Sequence, residues 1–259
     1  MLACMFIVSM LPHAVSAQST SPEAPGTPIG TPQDARSGAP STMSVSVDAG
    51  TAILFSSGTL STTCKCAYPS GMNAGPTMGL SLEYRVASTL SLALRVGYTG
   101  YTGEFTVGDS RVWYEQSGAM VTLDHERRAL ISMDLLETAL LLRWSPAHDA
   151  PYLQCGPVMS AMLASHITET ERIVTPGYVY PSTQNNLVQL ADGELAEVRA
   201  TRQMHLGLRV GGGWMIPVGA SLAVGPELSY TFPLTSVFTE GPDWKLHSLH
   251  GLVRLRLAL

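Results

Sequence analysis

The sequence predicts an all-β protein, an eight-stranded antiparallel up-and-down transmembrane β-barrel. Apolar and polar residues alternate along several segments, the connections between these segments are short and long in turn, and charged residues are scarce. Charged residues make up 14% of the 259 residues, against about 25% in typical soluble domains. Hydrophobic residues make up 45%, yet after the N-terminus no apolar run approaches the roughly 18 residues of a transmembrane helix. The hydrophobicity is therefore expected to lie on strands.

The first residues are predicted to be a signal peptide followed by a linker. Residues 1–17 join an apolar segment to Val15-Ser16-Ala17, the small residues that a signal peptidase requires; a buried strand is the alternative. Residues 18–42 are rich in Pro, Gly, Ser and Thr and have no apolar periodicity, which predicts a flexible linker. The barrel is then expected to cover residues 43–259.

The cysteines do not predict a disulfide framework. If Cys4 leaves with the signal peptide, the odd number of three cysteines remains, which argues against such a framework. Cys64 and Cys66 could close a small ring, although a one-residue spacer strains disulfide geometry. Two thiols are also too few ligands for zinc.

Alternation of apolar and polar residues predicts eight strands. Leu90, Leu92 and Leu94, for example, alternate with Ser91 and Arg95. Such a period of two places one face of a strand in an apolar medium and the other in a polar one. Six segments are regular, and two less regular segments complete the set. The predicted strands cover residues 43–56, 77–87, 90–102, 130–144, 151–165, 201–216, 220–232 and 247–259.

The lengths of the connections predict where the barrel resides. Short turns are predicted at 87–89, 145–150 and 217–219, and long loops at 56–76, 103–128, 166–200 and 233–246. Because short and long connections alternate strictly, all the short turns fall at one end of the sheet. Tight periplasmic turns, long extracellular loops and an even strand number are typical of outer-membrane barrels. We therefore expect a Gram-negative-type outer membrane, with its lipid as the surrounding partner.

The composition of the polar face predicts a lumen filled by charged side chains. This face carries Arg, Glu, Ser and Gly with almost no Lys, whereas a water-facing sheet would favour Lys and Thr. Arginine and carboxylate groups suit a confined interior where each charge has a partner, and an eight-stranded barrel is just wide enough for side chains to fill. Asp48 lies on the same polar face. The expected network consists of Glu83, Arg85, Arg95, Glu137, Arg143, Arg209, Glu227, Arg254 and Arg256.

Aromatic residues near the strand ends predict two girdles at the membrane interfaces. Trp144 and Trp214 adjoin short turns and are expected at the periplasmic rim. The residues expected at the outer rim are Tyr98, Tyr101, Tyr230 and Phe232.

Two segments carry a family resemblance. Residues 136–143, Leu-Glu-Thr-Ala-Leu-Leu-Leu-Arg, and residues 151–157, Pro-Tyr-Leu-Gln-Cys-Gly-Pro, are joined by a short polar turn. They resemble the fourth and fifth strands of the "outer membrane protein beta-barrel domain" family, which includes PorT-like proteins. The resemblance extends over roughly residues 43–259 and implies a small OmpA/OmpX-type barrel. Most members of that family have no established activity.

No pattern in the sequence defines a catalytic, cofactor or metal site. Ser165-His166 and His247-Ser248 place a hydroxyl next to an imidazole, but neighbouring residues of a strand point to opposite faces. Acidic residues of the predicted loops have no spacing that indicates a protease site; these are Asp124, Glu126, Glu169 and Glu171.

These observations predict a non-enzymatic outer-membrane barrel that acts in structure, adhesion or export assembly. We expect no cofactor, a possible protein partner at the extracellular loops and, with a net charge of −5, no nucleic acid. A small outer-membrane hydrolase acting on lipid or peptide is one alternative. A soluble lipocalin-like binder is the other, and it requires the apolar face to point inward.

Overall fold

The computed structural model describes residues 42–61, 67–68, 71–115, 118–146, 151–198, 200–240 and 243–259. The predicted signal peptide, all but the last residue of the predicted linker, and Cys64 and Cys66 lie outside the described residues. Within them, no helix is long and apolar enough to cross a membrane.

Eight long strands dominate the described chain. They are β1 (Met43–Gly58), β2 (Met72–Ala87), β3 (Leu90–Tyr114), β4 (Met120–Trp144), β5 (Pro151–Ile173), β6 (Met204–Trp214), β7 (Leu222–Pro233) and β8 (Trp244–Ala258). The shorter elements are the paired strands Leu60–Ser61 and Ala67–Tyr68, the strand Leu187–Gly193 beside β5, the strand Ile216–Pro217 beside β7, and the helix Leu195–Val198.

The eight strands close into a ring. Each long strand pairs antiparallel with its neighbours along the chain, and β8 pairs with β1. The closing ladder runs from Ser44 opposite Ala258 to Gly58 opposite Trp244. Closure removes the free sheet edges that an open sheet would present to its surroundings. The prediction of an eight-stranded up-and-down barrel is confirmed.

The two ends of the barrel differ. At one end, which we call the short-turn end, β2 joins β3, β4 joins β5 and β6 joins β7. At the opposite, long-loop end, the β3–β4 ladder continues without interruption to the pair Tyr114–Met120, and β5 continues to Ile173. The predicted long loop at 103–128 is therefore wrong, as is the loop prediction for residues 166–173. The period of two continues in these residues, but the apolar positions move to the other face of the strand. A prediction that assumes one apolar face along the whole strand therefore ends the strand too early.

An irregularity in β5 explains its weaker alternation. The register with β4 shifts where Asp134 pairs with Ala164 but Leu135 pairs with Met162, which leaves Leu163 as an extra residue. Such a bulge reverses the side to which later residues point. Gln154 is buried on the inner face before the bulge, and Ile167 is buried on the inner face after it.

Candidate functional site

Apolar side chains cover the outside of the barrel between its two ends. Leu80 and Val253 each expose 60% of their surface, whereas the neighbouring inward residues Arg95 and Arg254 expose 1% and 0%. A barrel with charges inside and leucines outside is stable only where hydrocarbon surrounds it. This arrangement excludes the soluble lipocalin-like alternative, which requires the opposite orientation.

One half of the inner charge network surrounds Arg95. Its guanidinium donates to Asp48, with Nη2 at 2.5 Å from Oδ1 and Nε at 3.1 Å from Oδ2. Its Nη1 lies 3.6 Å from Glu137 Oε2. Glu137 also accepts a hydrogen bond of 2.8 Å from Arg209 Nη2, and His250 Nε2 lies 3.2 Å from the same Arg209 nitrogen. Two carboxylates and two guanidinium groups therefore form a continuous chain across the lumen.

The other half surrounds Glu227. This carboxylate accepts hydrogen bonds from Tyr152 OH at 2.6 Å and from Gln154 Nε2 at 2.8 Å. Arg254 Nη2 lies 2.8 Å from its Oε2, and Arg143 Nη2 lies 3.8 Å from the same atom. Arg254 also lies 3.7 Å from Asp48, which joins the two halves.

Arg143 links Glu227 to the short-turn end. Its Nη1 donates to Glu83, which also accepts a 2.5 Å hydrogen bond from Ser91. Its guanidinium carbon lies 4.3 Å above the centre of the Tyr152 ring, in a cation–π contact. Among the described residues of the lumen, these side chains match four guanidinium groups to four carboxylates.

The structure places seven of the nine predicted network residues in the buried lumen. The other two, Arg85 and Arg256, are half-buried and line a small cavity at the short-turn end together with Ser44 and Glu83. Sequence reasoning missed Tyr152, Gln154 and His250, and it left Asp48 outside the network. The strand alternation placed Asp48 on the correct face, but nothing in the sequence indicated that Arg95 would reach it across β2.

Two glycines make room for the Arg95 guanidinium. A Cβ atom on Gly79 would lie 2.8 Å from Arg95 Nη2, and one on Gly97 would lie 2.7 Å from Arg95 Nη1. Both distances are shorter than packed atoms allow, so larger residues would displace the guanidinium from Asp48.

A hydrophobic layer closes the lumen toward the long-loop end. Leu54, Tyr101, Ile131 and Trp244 are among its buried side chains, and Phe105 meets Trp244 edge to face. The prediction that Tyr101 lies at the outer rim is wrong, because Tyr101 follows the inward positions of β3 and is 3% exposed.

The orientation of the apolar face inverts near the pair Tyr98–Leu136 of the β3–β4 ladder. On the outside, Tyr98 donates a 2.5 Å hydrogen bond to Asp134. Beyond this level the outward positions carry Glu104 and Arg128, whose side chains pair at 3.0 Å in solvent, while inward positions of β3 carry the buried Tyr101 and Phe105. We call the part of the barrel beyond Tyr98 the extension. Its pattern is that of a water-soluble β-structure with an apolar core.

A polar cluster is buried inside the extension, where the predicted loop acids Glu169 and Glu171 turn inward. Tyr68 donates a 2.6 Å hydrogen bond to Glu169, and Tyr180 donates one of 2.7 Å to Glu171. Glu171 also pairs with Arg127, and its Oε1 lies 3.1 Å from His125 Nδ1. Burial alone would raise the pKa of Glu171, but the hydrogen bonds from Tyr180 and Arg127 and the charge of Arg127 lower it below its ordinary value.

Aromatic residues lie at both edges of the outer apolar band. Trp144 and Trp214 are exposed at the short-turn end, and Tyr98, Tyr230 and Phe232 face outward at the other edge. An apolar band between aromatic girdles, a filled lumen and a closed even-numbered ring define a transmembrane barrel of the outer-membrane type. Among the described residues, no group of three His, Cys, Asp or Glu side chains could hold a metal ion.

Comparison with known proteins finds similarity to solved barrel structures only. No family model and no curated protein matches the chain. Neisserial surface protein A is 15% identical, with 85% of this chain and 98% of that chain covered and a TM-score of 0.37. OprG from Pseudomonas aeruginosa is 9% identical, with the same coverages and a TM-score of 0.42. The outer membrane protease OmpT from Escherichia coli is 7% identical, again with these coverages, at a TM-score of 0.31. The chain's own architecture defines the class, and the resemblance to PorT-like proteins stays a prediction.

Proposed function

We propose that the protein is a non-conducting outer-membrane barrel that holds a rigid extracellular structure for contact with other surfaces. The closed lumen is the observation that supports this role most directly. A balanced network of ion pairs fills the membrane-embedded half, and the layer around Leu54, Tyr101 and Trp244 seals the half above it. Among the described residues, buried side chains therefore occupy the lumen at both levels, which supports a non-conducting barrel.

The tip of the β3–β4 hairpin supports the contact role. From Tyr98 to Tyr114, β3 continues for 16 residues beyond the apolar band, or about 50 Å along the strand at roughly 3.3 Å per residue. Tyr114 exposes 74% of its surface and Met120 69%, and Val112 and Trp113 are also exposed. Apolar side chains grouped at the end of a polar stem are typical of a surface that binds another molecule. Of structure, adhesion and export assembly, the geometry favours adhesion.

Two measurements test this proposal. Full-length protein in planar bilayers should give no conductance steps under conditions in which an open porin does. Cells displaying the protein should sediment by cell–cell aggregation, and the double variant Trp113→Ser/Tyr114→Ser should lower aggregation several-fold. Val218→Ser, an exposed apolar residue at the short-turn end, is the matched control and should leave aggregation unchanged. Conductance steps would contradict the proposal, and so would aggregation that is unchanged in the double variant Trp113→Ser/Tyr114→Ser.

A further inference from the structure

Three side chains on the outer wall form a hydroxyl–imidazole–phenol array. Ser57 Oγ lies 3.0 Å from His247 Nε2, and Tyr230 OH lies 2.9 Å from His247 Nδ1. Ser57 is on β1, His247 on β8 and Tyr230 on β7, which are consecutive strands of the closed ring. Ring closure therefore brings together residues that are up to 190 positions apart in the sequence.

The array faces outward at the edge of the apolar band. Ser56, which precedes Ser57, and Ser248, which follows His247, are both buried on the inner side. Because side chains alternate along a strand, Ser57 and His247 point to the outside. Phe232, which is exposed, packs edge to face on Tyr230 with ring centres 4.5 Å apart. The array thus lies where the hydrocarbon of the outer leaflet meets water, which is the depth of the ester bonds of membrane lipids.

We propose that Ser57, His247 and Tyr230 form a serine-esterase site for acyl esters of outer-leaflet lipids. This activity goes beyond the contact role of the extension and does not depend on it. A serine hydroxyl is a weak nucleophile unless an adjacent base accepts its proton, and the base works when a third group fixes its tautomer. With the proton on Nδ1 donated to the phenolic oxygen of Tyr230, Nε2 of His247 is free to act as that base.

The reaction then proceeds in two steps. Ser57 Oγ bonds to the acyl carbon while His247 Nε2 takes the hydroxyl proton, and the ester C–O bond breaks as His247 returns that proton to the leaving alcohol. Water next attacks the acyl-serine with His247 again as base. The products are one carboxylic acid and one alcohol per ester and water consumed, and Ser57 is restored.

Lys245 lies where it can assist the reaction at Ser57. It stands directly opposite Ser57 in the β1–β8 register, and it follows the fully buried Trp244, so its side chain is on the outer face. Residues opposite each other on one face have Cβ atoms about 5 Å apart. Its ammonium group, 3.7 Å from the exposed Asp243, can stabilise the oxyanion of the tetrahedral intermediate and attract an anionic headgroup. The expected substrate is therefore an acyl ester close to a phosphate.

The test uses full-length protein folded in detergent and in vesicles. A fluorophosphonate probe should bond to Ser57, detected as a mass increase on its peptide. Release of fatty acid is measured separately from phosphatidylglycerol vesicles and from lipid A micelles, which distinguishes the two sources of acyl esters. Ser57→Ala and His247→Gln should each lower the rate by about 10³-fold or more. Tyr230→Phe, which removes a positioning group, should lower kcat by about 10-fold with KM unchanged.

Matched controls separate this site from a general loss of folding. Thr51→Ala removes an outward hydroxyl from the same strand, and His166→Gln removes an exposed imidazole from the extension; both should keep the wild-type rate. Every variant is first checked for heat-modifiable migration on gels. Release from either lipid that requires Ser57 supports the proposal. Absence of release from both lipids overturns it, even if Ser57 is labelled, and so does release that Ser57→Ala leaves unchanged.

Discussion

Replacing Glu227 by Ala removes the best-connected carboxylate of the lumen. Glu227 accepts hydrogen bonds from Tyr152 and Gln154 and lies 2.8 Å from Arg254. Without it, Arg254 stays fully buried, and among the described residues its remaining ion-pair contact is Asp48 at 3.7 Å. Removing one member of a buried ion pair costs about 3–5 kcal/mol, since the other charge loses its partner away from water.

The free energy of unfolding in lipid vesicles, from denaturant titration followed by tryptophan fluorescence, measures this cost. The matched control is Glu104→Ala, which breaks a 3.0 Å pair with Arg128 that is about half exposed on both sides. An exposed pair contributes about 0–1 kcal/mol. If the two variants lose the same stability, water reaches Glu227 and the lumen is not sealed.

Three further changes probe the membrane face, the extension and the packing of the lumen. Leu94 lies midway between Leu90 at the short-turn end and Tyr98 at the outer edge, so Leu94→Arg should cost about 2–4 kcal/mol in a bilayer. A thinner bilayer should reduce this loss but not the loss caused by Arg95→Leu. Because the pKa of Glu171 is lowered, its stabilisation is present above the ordinary value of 4.5 and is lost as the pH falls through the lowered value. Hydrogen exchange, corrected for intrinsic rates, should show residues 167–173 losing protection as the pH falls below 4.5 toward the lowered pKa of Glu171, while residues 136–142 keep their protection. Glu171→Gln should remove this dependence on pH. Gly97→Ala should destabilise the barrel by about 1–3 kcal/mol through its clash with Arg95, whereas Gly108→Ala, which has open space, should not; equal unfolding midpoints would contradict this.

The strands within the membrane could be predicted because their surroundings impose a constant pattern. Leu90, Leu92 and Leu94 face lipid throughout, and every inward neighbour is polar or small. Beyond Tyr98 water replaces lipid, so the apolar positions of β3 move to Tyr101 and Phe105 on the inner face. A prediction that follows a single apolar face therefore ends β3 about 12 residues early (residue 102 against Tyr114). The bulge at Leu163 hides the continuation of β5 in the same way.

The site could be predicted only as far as strand alternation reaches. Alternation placed Arg95, Arg209 and Glu227 in the lumen, but the pairing of charges depends on how strands are offset around the ring. Arg95 contacts Asp48 across an intervening strand, and no spacing in the sequence encodes that contact. The Ser57–His247–Tyr230 array is even harder to predict from the sequence, because it forms only when β8 pairs with β1. The sequence offered His247-Ser248 instead, and the structure turns those two side chains to opposite faces.

The barrel exposes apolar residues to lipid and inverts this pattern near Tyr98 and Asp134. Single spin labels placed along β4 in a cysteine-free background test this inversion, with accessibility to oxygen and to a water-soluble nickel complex measured in vesicles. Labels at Leu142, Leu140 and Leu136 should contact lipid, while labels at Ser132 and Arg128 should contact water. Lipid contact at all five positions would contradict the inversion, and lipid contact at inward positions such as Arg143 and Glu137 would contradict the orientation of the strand.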